Sequence, residues 1–338
     1  MILVTGGTGL VGSHLLFNLL NRGYKVKVLL RPTSNKENIS RTFSFYTQNP
    51  SELLKNITWA EGNLLDLQSL EAALDGVTRV YHTAAFVSFK KKDKAKVLQT
   101  NIGGTANLVN LCLERGIEKF CHVSSIGALG QSEPGMAITE DLLWKPSKNV
   151  SAYSLSKYHS EMEVWRGITE GMNAVIVNPS VILGPGDWTN GSPLLFSLID
   201  KGFDYYTTGV TGYVDVRDLV NVMVQLMESD IVNERFTVSA ENLTYKQFFD
   251  YVAAALNKPI PQKQLARWKA ELLRRLEAAL GMLTGKSPRI TKETTHIAYA
   301  KSFYDSTKLT KTIGYSFTPI EQTIRNVAAI YEQNCAQQ

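Results

Sequence analysis

Three cysteines in 338 residues, Cys112, Cys121 and Cys335, are too few and too scattered for a disulfide framework. That sparse, odd set fits a reducing, cytoplasmic setting. No apolar run reaches the roughly 18 residues that a membrane-spanning helix needs. The opening residues, MILVTGG, read directly as a core strand, so no secretory leader is expected. The five histidines, His14, His82, His122, His159 and His296, show no metal-ligand spacing, and no metal site is expected. There is no internal repeat and no low-complexity linker. The net charge of +5 is too mild for a nucleic-acid binder, although it slightly favours a phosphate-bearing ligand. With 44% hydrophobic and 20% charged residues, the composition is that of an ordinary globular chain of about two domains.

Short β-rich runs alternate with helical patterns through the first half. Ile2–Thr5, Lys25–Leu30, Ile57–Ala60, Arg79–Thr83, Lys119–Ser124 and Ala174–Val177 read as strands. Leu10–Arg22, Leu67–Leu74, Ala95–Arg115 and Ser156–Thr169 read as helices. This alternation predicts an α/β fold, a doubly wound parallel sheet with helices on both faces. Ligands then sit at the carboxyl ends of the strands, where the strand order reverses. The pattern breaks at about Pro179. The division expected is 1–178 for the sheet domain and 179–338 for a smaller, mainly substrate-binding domain, with about 210–238 rejoining the first.

The stretch VTGGTGLVGSHLL runs from the first strand into the first helix. Gly7, Gly9 and Gly12 satisfy G-x-G-x-x-G, and Gly6, Gly9 and Gly12 satisfy G-x-x-G-x-x-G. Glycine permits the tight turn and lets backbone amides approach a pyrophosphate, while the helix N-terminus adds positive charge. The strand–helix context makes this a dinucleotide site of the Rossmann type. An NAD site usually carries an acid at the end of the second strand. Here KVKVLLRPTSNK has Leu30 and then Arg31. Arg31, with help from Lys36, suits a 2′-phosphate, so NADP is preferred and NAD remains open.

Lys119–Ser124 is followed by Ser125, and SAYSLSKYHSE puts Tyr153 and Lys157 on one helical face. A nearby ammonium favours a phenolate, so Lys157 is expected to lower the pKa of Tyr153. Ser125 is placed to hold a substrate oxygen. Y-x-x-x-K also occurs at Tyr304–Lys308, where no comparable strand precedes it. That second pair reads as structural, with Asp305 or Ser306 as a helix cap.

The motifs TGGTGLVG, HTAA (His82–Ala85), NIGGTANLV (Asn101–Val109), HVSS and YSLSK together resemble the extended short-chain dehydrogenase/reductase superfamily, of the NAD-dependent epimerase/dehydratase type. The resemblance implies Ser125, Tyr153 and Lys157 as the catalytic trio. It places the cofactor against Thr5, Gly6, Gly7, Thr8, Gly9, Leu10, Val11 and Gly12, against Thr83, Ala84 and Ala85, and against Tyr153 and Lys157. The family's acid beside the adenine is replaced in GNLLD by Asn63, next to Leu64. VNPSVILGPGDW then lines the nicotinamide side, with Pro179, Ser180 and Val181 near the ring, and Asn178 stands where nucleotide-sugar members often carry Arg. Phe86 and Trp188 join Ser125 and Tyr153 as substrate contacts. Asn101 either supports a water beside Lys157 or caps a helix.

Within that superfamily, SSIGALG lacks the dehydratase pattern and TTGVTGYVDVRDLV lacks the epimerase arginine. GPGD, VDVRDL and FYDSTKL resemble dihydroflavonol-4-reductase and 3β-hydroxysteroid dehydrogenase. The resemblance implies reduction of a ketone or aldehyde on a small, apolar or aromatic substrate. Alternatives are a nucleotide-sugar epimerase or a non-catalytic redox sensor. A homodimer through the two long helices is also implied.

Five lysines crowd Lys90–Lys96, read as a solvated helix start or a lid steering an anionic ligand. Leu265, Trp268, Leu272, Leu276, Leu280 and Leu283 recur at helical spacing beside a basic face. That segment reads as a helix covering the cleft, with a membrane-surface helix as the alternative. Trp144, Trp188, Phe196 and Tyr205 hint at an apolar pocket or at core packing. Asp215 reads as a helix cap.

Overall fold

The computed structural model describes residues 1–130, 133, 135–145, 150–284 and 291–336. Residues 131–132, 134 and 146–149, in the loop expected to shape the pocket, lie outside the described residues, as does the side chain of Leu283.

The sheet domain runs β1 (Ile2–Thr5), α1 (Leu10–Asn21), β2 (Val26–Leu30), α2 (Glu37–Ser44), α3 (Pro50–Leu54), β3 (Ile57–Glu61), α4 (Leu67–Ala73), β4 (Arg79–His82), α5 (Lys94–Leu98), α6 (Gly104–Glu114), β5 (Lys119–Val123), α7 (Ala152–Thr169) and β6 (Ala174–Pro179). There follow β7 (Val181–Leu183), α8 (Leu194–Asp200), β8 (Tyr205–Tyr206), β9 (Val210–Asp215), α9 (Val216–Glu228), β10 (Glu234–Val238), β11 (Glu241–Thr244) and α10 (Tyr245–Ala255). The chain closes with β12 (Lys263–Gln264), α11 (Arg267–Thr284), α12 (Lys292–Tyr299), α13 (Thr307–Ile313) and α14 (Ile320–Ala336).

The large sheet has seven parallel strands in the order β3-β2-β1-β4-β5-β6-β10. This is the expected Rossmann-type doubly wound fold, with the strand order reversing between β1 and β4. Alternation sorts each strand between two cores. Ile2 and Val4 face a core with Leu15, Leu19, Met223 and Leu226, while Leu3 faces Leu70, Leu108 and Val164. Strands β1 and β5 are buried along their whole length, as central parallel strands must be.

Three elements differ from their sequence reading. The helix expected over Ala95–Arg115 is split by a π-turn at Gln99–Gly103. Helix α7 starts four residues early, because the Ser151 hydroxyl accepts a hydrogen bond from the Ser154 amide and caps it. Tyr153 thus lies in the first turn. Residues 210–238 divide: β9 joins β7 and β11 in a small sheet, while α9 packs on α1 and β10 pairs with β6. Asp215 caps α9 through the Arg217 amide.

A third core lies under α8, α10 and α14, where Phe248 stacks on Tyr213 at 4.9 Å. Helix α11 does not lay its apolar stripe over the cleft. Trp268 is 66% and Leu276 53% exposed, because the apolar positions of this helix point outward. Among the described residues, no helix is long and apolar enough to cross a membrane.

His82 sits between Thr5 and Thr105 hydroxyls, with its Nδ1 2.7 Å and its Nε2 2.9 Å away. Burial, aided by the Lys157 charge, lowers its pKa to about 3, and burial lowers that of His14 to about 4. Unfolding frees both rings to take up protons below their ordinary value of 6.5, which the folded state refuses. Stability must therefore fall as the pH drops through that range. The urea midpoint is expected to decrease between about pH 7 and about pH 5; an unchanged midpoint there would contradict neutral buried rings.

Candidate active site

The glycine loop turns where its backbone has no room for side chains. Gly6 has φ +74°, and a Cβ there would come within 2.6 Å of the Ala84 amide. A Cβ on Gly12 would overlap the Gly6 carbonyl oxygen. The loop is therefore pressed against the end of β4, at the point where the strand order reverses.

A groove of about 910 Å³ opens there. It brings together Thr5, Gly6, Gly7, Thr8 and Gly9 with Arg31, Asn63, Leu64, Thr83, Ala84 and Ala85. Leu10, Val11 and Gly12 stand behind it at the start of α1. Arg31 is exposed at the rim with Pro32, Thr33 and Ser34. Lys36 turns away, with its Nζ 4.8 Å over the Trp59 ring. Lys92 and Lys96, from the lysine run, come to the groove instead, and no carboxylate lines it among the described residues. The Asn63 Oδ1 already accepts from the Leu65 amide at 3.1 Å, leaving one lone pair for an adenine amine.

Beside it lies a cavity of about 400 Å³, lined by Ser125, Tyr153, Ser180 and Val181. Ser125 and Tyr153 share its wall, and Ser125 is the one group that pulls the Tyr153 pKa down. Ser125 Oγ also accepts from the Gly127 amide at 3.1 Å, and the Phe89 ring meets Tyr153 edge-on at 5.6 Å. Trp144 lines the cavity while stacked 4.2 Å from Tyr158.

Lys157 behaves differently from its sequence reading. It is buried, and its Nζ donates to the Val123 carbonyl at 2.6 Å, at the end of β5. Burial lowers its pKa to about 8, opposed by the charge of Glu161. Burial raises the pKa of Tyr153, and only the Ser125 hydrogen bond pulls it down. Lys157 is not among the groups that shift the phenol, and its ammonium donates to a strand-end carbonyl.

Three further residues stand elsewhere than expected. Phe86 lines the dinucleotide groove rather than the substrate cavity, since its backbone is clamped by Asn101: the Phe86 amide donates to Oδ1 at 2.7 Å, and Nδ2 donates to the Phe86 carbonyl at 3.1 Å. Asn101 lies within the π-turn and caps no helix; its Nδ2 also donates to Ser156. Trp188 packs into the third core between Phe196 and Tyr331, with Phe45 beside it, because the loop after β7 folds inward. Phe196 is buried there too. Pro179 ends β6, pairing with Val238. Tyr304, read as structural, lines the cavity; Asp305 accepts from the Thr307 amide, while the N-cap position of α13 is Ser306, which makes no side-chain cap.

Sequence reasoning missed the support beneath Ser125. Glu161 is fully buried on α7. One carboxylate oxygen accepts from Ser124 Oγ at 2.7 Å and Asn178 Nδ2 at 2.8 Å, and the other pairs with Arg235 at 2.8 Å. Asn178 also donates to the Ser125 carbonyl at 3.1 Å. Asn178 thus braces the site from within rather than facing substrate. The spacing of Glu161 one turn after Lys157 was the available signal; Arg235, 74 residues away, gave none. Among the described residues no side-chain group is arranged to hold a metal.

The glycine loop, the seven-stranded order and the groove at its reversal define a dinucleotide-binding α/β protein. The chain belongs to the NAD dependent epimerase/dehydratase family, whose model matches residues 2–239. It is 31% identical over 265 residues to sterol demethylase protein B of Methylococcus capsulatus, covering 77% of this chain and 76% of that protein. It is 25% identical to the dihydroflavonol 4-reductase of Dianthus caryophyllus, over 71% of this chain and 69% of the other. Of solved structures, gox2253 superposes with a TM-score of 0.81 at 30% identity, covering 99% of this chain and 98% of that one. UDP-glucose 4-epimerase of Thermotoga maritima, solved with UDP-glucose, superposes at 0.77 and 22% identity, with 99% of both chains covered. Members of the family are oxidoreductases or epimerases, and an NAD-type cofactor is theirs in common.

Replacing Gly12 by Ala forces the Gly6 carbonyl out of place. Gly12→Ala is expected to abolish measurable dinucleotide binding in a fluorescence titration while far-UV circular dichroism stays native; retained binding would mean that the loop does not cradle the pyrophosphate.

Proposed function

We propose that the protein is a carbonyl reductase that prefers NADP and reduces a ketone or aldehyde on an apolar or aromatic substrate. The observation that carries this reading is the Ser125–Tyr153 hydroxyl pair in the wall of a largely apolar cavity beside the dinucleotide groove. When bound, the reduced nicotinamide supplies hydride to the carbonyl carbon. Tyr153 donates its proton to the oxygen as general acid. A phenol whose pKa is raised by burial holds that proton at neutral pH, the state that reduction requires. Ser125 hydrogen-bonds the same oxygen as charge grows on it. Lys157 keeps an ammonium one helical turn behind the phenol and is the residue expected at the nicotinamide ribose.

The lining argues against a nucleotide-sugar substrate. A diphosphate needs fixed cations, and Lys145 is the one lysine or arginine among the described lining residues, with Glu293 also present. Two of the relatives named above are called after a sterol, an apolar ring compound, and a dihydroflavonol, an aromatic one. A division into a dinucleotide domain over 1–178 and a mainly substrate-binding domain over 179–338, a cytoplasmic location and a homodimer belong to the same proposal. The packed pair α6 and α7 offers the dimer face.

Tyr153→Phe removes the acid and leaves the groove intact. Turnover in an NADPH oxidation assay against aldehydes and ketones is expected to fall at least about a hundredfold, with NADPH affinity unchanged; a near-normal rate would overturn the general-acid role. Arg31→Ala removes a charge-assisted contact to the 2′-phosphate. It is expected to weaken NADPH binding about ten- to a hundredfold and leave NADH almost untouched, as read by competitive titration of the two cofactors.

A further inference from the structure

A second, smaller cavity of about 370 Å³ adjoins the first. The two share three wall residues, Phe89, Tyr245 and Ile297, so these side chains form the partition between them. Phe89 is also the ring against Tyr153. The rings of Phe89 and Tyr245 and the side chain of Ile297 thus separate the reacting hydroxyls from the annex.

No charged residue lines the annex among the described residues. Its far side is made of Phe203, Tyr205 and Phe249, whose rings lie edge-on or tilted at 6.2 Å. Phe203 is 40%, Tyr205 44% and Ile297 44% exposed, although each borders this apolar recess. Rings left wet around a concavity mark a place that a ligand covers. The proposed hydride and proton transfers involve only groups at the first cavity and the groove, so the chemistry itself needs none of this space.

We propose that the substrate carries an uncharged hydrocarbon tail that leaves the active-site cavity past Phe89 and Ile297 and lies in the annex. The proposal rests on the reductase reading for its head group. The carbonyl sits at Ser125 and Tyr153, and the tail supplies affinity by leaving water. A fully buried methylene is worth about fourfold in binding. The annex thus sets the specificity for long amphiphilic carbonyl compounds over compact ones.

The test compares kcat/KM for benzaldehyde, para-butylbenzaldehyde and para-octylbenzaldehyde with NADPH, alongside binding of cis-parinaric acid followed by its fluorescence. Wild type is expected to favour the octyl over the unsubstituted aldehyde at least about tenfold. Ala298→Trp and Thr207→Trp, which fill the annex at two separate points of its wall, should bring that ratio close to one and weaken parinarate. A flat series in wild type, or a preference that both variants leave intact, overturns the proposal while the reductase reading stands. If no aldehyde is reduced, the reductase reading fails, and parinarate alone decides the annex: saturable binding lost in both variants upholds an apolar ligand there, and no binding overturns it.

Discussion

The candidate active site depends on one carboxylate buried out of reach of water. Taking Glu161 into the interior costs several kcal/mol unless its lone pairs are met. They are met by Ser124, Asn178, Arg235 and, at 3.4 Å, Trp165. These donors come from the ends of β5 and β6, from β10 and from α7 itself. Satisfying one charge therefore fixes the relative position of three strands and the helix that carries Tyr153. Arg235 is held in turn by the Glu140 carbonyl, which ties the loop before α7 to the same centre. The site's precision is a by-product of electrostatic necessity: any shift of β6 against α7 would strand a charge.

The same burial shapes the chemistry. Two groups expected to tune one another, Tyr153 and Lys157, are tuned mainly by the loss of water around each. For an acid, desolvation favours the neutral form, and for a base it does the same. The phenol keeps its proton and the ammonium holds its own less tightly. Both shifts run toward the neutral forms, although a pKa of about 8 still leaves Lys157 its proton at neutral pH.

Much of this was legible in the sequence for definite reasons. Strands β1 and β5 are buried on both faces, so they read as unbroken apolar runs. The glycine loop was legible because a forbidden Cβ leaves a compositional trace at Gly6 and Gly12. Ser125 and Tyr153 could be placed on one cavity wall because a strand end and a helix start are local events. Trp188 was misplaced because an aromatic residue after a Gly-Pro-Gly turn looks the same whether it faces a ligand or a core. Phe86 was misplaced because only the fold reveals the clamp from Asn101. Arg235, Tyr245 and Ile297 gave no signal: their roles come from long-range packing in the second half, where no motif fixes register.

The segment from Phe86 to Lys96 runs along two ligand sites at once. Phe86, Lys92 and Lys96 border the dinucleotide groove, with the Lys96 Nζ 4.8 Å over the Phe86 ring, while Phe89 stands against Tyr153 in the other cavity. Phe86, Phe89, Lys92 and Lys96 of this one segment thus form a shared partition between two chambers. A shared partition makes the chambers poor candidates for independent redesign. Substitutions chosen to alter one ligand's grip will be felt by the other, and their effects will not sum.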